Sequence, residues 1–146
     1  MVLVCLKNLC LILISLFVMY YQFFIMMVDT SAASPHTETN SLILYYKVFV
    51  RIYVIIVCIT FVYKLFSSEK DDSTNPRVII HTLLIIVDIV VSVQLLYDIM
   101  LFLSSEPLGV IITLISLGFM IWHIKDCNSV IERSKNSGSG DSDLSK

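Results

Sequence analysis

The chain is built from long apolar stretches separated by short polar ones. Leu9 to Val28, Leu42 to Phe66, Val78 to Leu103 and Leu108 to Ile124 are almost wholly apolar, and DTSAASPHTETN, SSEKDDSTNPR and SSEP lie between them. A bilayer core of roughly 30 Å is crossed by about 20 helical residues. The pattern therefore predicts four membrane-spanning helices over 9–28, 42–66, 78–103 and 108–124. Strands of a membrane barrel would be short and alternating, whereas these stretches are continuously apolar. The expected fold class is all-α, an integral membrane four-helix bundle.

Composition supports this reading. The 146 residues have room for one domain; they are 57% hydrophobic and 15% charged, against roughly 25% charged in a soluble domain. The mean hydropathy is +0.86. Residues 1–127 are expected to form the transmembrane domain and residues 128–146, NSVIERSKNSGSGDSDLSK, a disordered cytoplasmic tail rich in serine and glycine. Ile124, Cys127 and Ile131 share one stripe, so the last helix is expected to extend along the headgroups.

Basic residues set the orientation. The first connection holds no Lys or Arg, while Lys7, Lys64, Lys70, Arg77, Lys125, Arg133, Lys135 and Lys146 all fall on the opposite side. By the positive-inside rule both termini are cytoplasmic. Ser31-Ala32-Ala33 has the small residues of a signal-peptidase site, but the preceding apolar run exceeds the roughly 7 to 15 residues of a secretory core. The first helix is expected to be retained.

Chemistry enters mostly through what is missing. The sequence has no GxSxG, P-loop, HExxH or glycine-rich dinucleotide loop, and its short connections leave no room for an extramembrane catalytic domain. The expectation is a protein that is not an enzyme, with no catalytic, cofactor-binding or metal residues and no cofactor. Its expected partners are the lipid bilayer and other membrane proteins or a second copy, with no nucleic acid. Cys5, Cys10, Cys58 and Cys127 form no CxxC pair and have no His at zinc-ligand spacing. Cys5, Cys10 and Cys127 lie near cytoplasmic helix ends and are candidates for palmitoylation. His123, beside Trp122, reads as an interfacial anchor.

Charged groups at membrane depth are costly, by about 2.5 to 3.5 kcal/mol each, and mark function by default. Lys47, Arg51, Asp88 and Asp98 are the four in these spans. With Tyr45 and Tyr46 at the outer interface, Lys47 lies roughly 3 Å deep, Arg51 roughly 9 Å and Asp98 roughly 7 to 8 Å. Lys47 and Arg51 share a helix face, so a Lys47/Arg51/Asp98 cluster is expected to lock the second helix to the third. Asp88 falls near the midplane, with Ser92 one turn on and His81 two turns back. It is expected to face the interior, protonated or hydrogen-bonded, as a candidate polar site with Ser92 and His81. Gly109, Thr113 and Ser116 form a small-residue face for close helix packing.

The cysteines near the start (Cys5, Cys10), the charged loop ending in Asn75-Pro76-Arg77 before an apolar helix, and the exit of the last helix through IWHIKD give a layout that resembles the Pasiflora-like group of small four-helix insect membrane proteins. The resemblance implies a non-enzymatic tetraspan protein of septate junctions. The leading expectation is thus lateral helix association in a junctional or trafficking assembly, in the plasma membrane rather than an endomembrane. The alternative is a small ion or proton transporter or channel subunit using Asp88.

Overall fold

The computed structural model describes residues 2–32, 38–66 and 78–139. They form four helices: α1 (Val2–Ala32), α2 (Glu38–Phe66), α3 (Val78–Phe102) and α4 (Pro107–Ser139). Each contains a stretch long and apolar enough to cross a membrane.

No glycine or proline interrupts α1, α2 or α3, so nothing in their sequence breaks the backbone ladder. The connection from α3 to α4 is a tight turn in which the amides of Ser105 and Glu106 donate to the Phe102 carbonyl, at 3.1 and 3.0 Å. The Glu106 carbonyl then accepts from Val110, and Pro107 occupies the first helical position, where its missing amide hydrogen costs nothing.

Three helices run beyond their apolar stretches. α1 begins at Val2, α2 at Glu38, and α4 continues to Ser139. The extension of α4 agrees with the Ile124, Cys127 and Ile131 stripe and corrects the disordered tail expected from residue 128: residues 128–139 are helical, and of the tail 140–146 lie outside the described residues. The apolar pattern marks where a helix is compatible with lipid, while the helix itself ends only where backbone bonding stops.

α1 packs chiefly on α2 and α3 chiefly on α4, giving two antiparallel hairpins that touch each other more sparingly, through α2 and α4, α1 and α4, and α2 and α3. The buried apolar core is made by Val18 of α1, Val50, Val54 and Val57 of α2, Val91 and Leu95 of α3, and Ile112 and Met120 of α4. The α2 valines recur at the three- and four-residue spacing that keeps one helix face inward. Large apolar side chains such as Phe17, Ile56, Val93 and Leu114 cover the outside.

The small-residue face lies inside. Gly109, Thr113 and Ser116 are buried, and the hydroxyls of Thr113 and Ser116 donate to the carbonyls of Gly109 and Ile112, at 2.8 and 2.9 Å. A Cβ on Gly109 would sit 2.8 Å from Tyr21 Oη and 3.1 Å from Phe102 Cγ. Glycine is needed there because α1 and the end of α3 close on that point.

Candidate functional site: two polar clusters between the hairpins

Polar side chains are set into the apolar interior where the hairpins meet. Gln22, Arg51, Asp88, Asp98, Thr113 and Ser116 are all buried, and most of the side-chain bonds that cross from one hairpin to the other involve them.

The first cluster is centred on Arg51, which is 3% exposed. Its Nη2 lies 2.5 Å from Asp98 Oδ2, and its Nη1 donates to Gln22 Oε1 at 2.8 Å. Gln22 Nε2 donates in turn to Ser116 Oγ at 3.1 Å, and Gln94 Nε2 donates to Asp98 Oδ1 at 3.0 Å. One network thus ties all four helices together. Arg51 can serve two acceptors at once because its guanidinium is a planar fork. Lys47 is half-buried and takes part in no ion pair among the described residues. The structure brings Arg51 and Asp98 together and leaves Lys47 out.

The second cluster surrounds Asp88, which is fully buried. Tyr53 Oη donates to its Oδ1 at 2.8 Å, and His123 Nδ1 lies 2.8 Å from its Oδ2. The donor atoms of Asp88, His123 and Cys127 all lie within 4.8 Å of one another. Ser92 does not reach the carboxylate; its hydroxyl donates to the Asp88 backbone carbonyl at 2.7 Å. The imidazole bonded to the carboxylate is His123, where helical spacing pointed to His81.

Two expectations are corrected here. His123 is turned into the bundle rather than anchored at an interface, because Asp88 offers its ring nitrogen a buried acceptor. Trp122 alone keeps the outward position, its ring centroid 4.5 Å from that of Phe61 with the two planes at 69°. Cys127 is 2% exposed and packed against the Asp88 cluster, so its thiol does not present itself for acylation, whereas Cys5 and Cys10 are exposed.

A cavity of about 150 Å³ opens between α2 and α4 beside this cluster, with Phe61, Phe119 and Trp122 among its apolar walls and Lys64, His123 and Asp126 as polar lining. Lys64 pairs with Asp126. Both side chains are well exposed, so the pair contributes at most about 1 kcal/mol.

Sequence reasoning missed Gln22, Gln94, Tyr53 and His123. Gln22 stands alone in the apolar run YYQFF, and such an amide in a spanning helix marks an interhelical bond. Gln94 precedes Asp98 by one turn, and His123 precedes Cys127 by one turn, both readable as shared helix faces. Nothing in the sequence singles out Tyr53.

The fold is all-helical, with four helices each long and apolar enough to cross a membrane and polar bonds running between two hairpins. Comparison with known proteins goes no further: no protein-family model, curated protein or solved structure matches the chain.

Proposed function

We propose that the protein is a non-enzymatic tetraspan component of a membrane assembly, with both termini cytoplasmic, that works through lateral helix contacts and the projecting end of α4. The supporting observation is the distribution of surfaces. Most interior polar groups bond to one another, with Arg51 Nε the exception among the described residues, while the outward faces of all four helices carry large apolar side chains, and the α3–α4 connection is only a tight turn. Among the described residues, the surfaces left for partners are therefore helix faces at membrane depth and the polar stretch of α4 after Asp126. On α1 the outward stripe is aromatic, with Phe17, Tyr20 and Phe24 at least half exposed. A junctional or trafficking complex in the plasma membrane uses such a subunit.

The test is affinity purification of the tagged protein from its native membrane in mild detergent. A defined, stoichiometric set of co-purifying membrane proteins, or a homo-oligomer, is expected. Recovery of a solitary monodisperse chain would sink the proposal.

A further inference from the structure

We propose that Asp88, His123 and Cys127 form a binding site for a divalent transition metal ion, with Zn²⁺ the best match. The proposal stands apart from the assembly role above and needs no transport across the membrane.

The first argument is geometric. The three residues come from α3 and α4, which make the more extensive of the two hairpin contacts, and His123 and Cys127 are one turn apart on α4. Zinc bonds of about 2.0 to 2.3 Å in a tetrahedron place neighbouring donors roughly 3.3 to 3.8 Å apart. The observed donors all lie within 4.8 Å of one another: His123 Nδ1 and Asp88 Oδ2, 2.8 Å apart, exchange their hydrogen bond for the ion and open slightly, while Cys127 moves in by about 1 Å.

The second argument is the donor set. One sulfur, one nitrogen and one carboxylate oxygen suit Zn²⁺ or Co²⁺, while Mg²⁺ and Ca²⁺ prefer oxygen alone. A hydrogen-bonded Asp88–His123 pair needs no sulfur beside it, yet the Cys127 side chain is buried against that pair rather than facing outwards.

Charge balance is the third. An isolated charge buried in apolar surroundings is expensive. A carboxylate, a thiolate and a neutral imidazole around a dication sum to zero, so the ion adds no net charge to the helix interior. Binding releases the thiol proton to water.

The surroundings complete the site. Tyr53, which donates to the other Asp88 oxygen at 2.8 Å, fixes the carboxylate as an outer partner does in metal centres. The cavity lined by His123 and Asp126 gives an ion a way in and leaves room for a water as fourth ligand.

The full-length protein, purified in detergent, is titrated with Co²⁺ as a spectroscopic probe. The expected result is one equivalent bound, with the visible bands of a tetrahedral ion and a thiolate-to-cobalt charge-transfer band. Zn²⁺ bleaches both and Mg²⁺ does not. Cys127→Ser abolishes the charge-transfer band, Cys58→Ser leaves it intact, and Tyr53→Phe weakens binding about tenfold. Because a variant in the interior can fail to assemble, a second measurement uses a protein in which Cys5, Cys10 and Cys58 are serine. There the alkylation of Cys127, already slow because the thiol is buried, becomes slower still with Zn²⁺ in the otherwise native site. A cobalt spectrum without the thiolate band, a band that survives in Cys127→Ser, or an alkylation rate indifferent to Zn²⁺ overturns the proposal and leaves Asp88 and His123 as a hydrogen-bonded pair alone.

Discussion

Arg51 illustrates what a cation needs in order to sit inside an apolar helix. One carboxylate, Asp98, meets its charge, and Gln22 takes a second guanidinium hydrogen. Removing only one member of a buried pair strands the other, at a cost of about 3 to 5 kcal/mol, whereas replacing both with apolar groups is often nearly neutral. Arg51→Leu and Asp98→Leu are therefore each expected to lose stability of that order in detergent unfolding titrations, and the double variant is expected to recover most of the loss. Additive losses in the double variant would rule out this coupling. Helical spacing and depth made the Arg51–Asp98 pair legible, since both residues carry a position along their own helix. The amide of Gln22 and the hydroxyl of Ser116 enter the network only because α1 and α4 lie alongside, which no local spacing encodes. His123 misled for a related reason: beside Trp122 it looks like a residue for the headgroups, until α3 supplies Asp88 as its acceptor.

At the level of elements, the apolar stretches located all four helices, because a lipid-compatible helix must be continuously apolar over a fixed length. Their ends were less legible. Outside the lipid core a helix needs no continuous apolar face, so α4 continues past Ile124, as the Ile124, Cys127 and Ile131 stripe indicated, and then on to Ser139 through a polar sequence that the apolar pattern does not report. How the helices pair depends on local fits such as that at Gly109. Gly109→Ala is expected to push α1 away from α4 and lower stability by about 1 to 3 kcal/mol, the usual cost of overpacking. Combining it with Tyr21→Phe removes the nearest atom, the hydroxyl 2.8 Å from the added methyl, and is expected to restore part of the loss. If Tyr21→Phe gives no relief in the same unfolding assay, the contact with α1 is not the cause.

Across the described residues, large apolar side chains cover the outside, while the Arg51–Asp98 and Asp88–His123 pairs lie inside beside the apolar core, unlike the polar surface of a soluble domain. Between helices in lipid there is little hydrophobic driving force, so association rests on close packing and polar bonds. Here the close packing is concentrated within each hairpin. Arg51–Asp98, Gln22–Ser116, Tyr53–Asp88 and Lys64–Asp126 run between the hairpins. Orientation is a property of the same scale, set by the one-sided distribution of Lys and Arg. A glycosylation sequon engineered into a lengthened 33–37 connection is expected to be glycosylated, and the same insertion at 67–77 is expected to stay unmodified. The reverse pattern would place both termini on the outer side.

Four long apolar helices, and the charged side chains they carry, follow from counting residues along one chain at 1.5 Å per residue. The same counting placed Arg51 and Asp98 at a common depth. Tertiary structure alone decided which helices pair, that Asp88 meets Tyr53 and His123, and that Cys127 turns inward beside them. Those contacts join residues on different helices, and their direction depends on how each helix is rotated about its own axis. In a helix apolar on nearly every side, the pattern of apolar residues leaves that rotation open, and only the packed neighbours fix it.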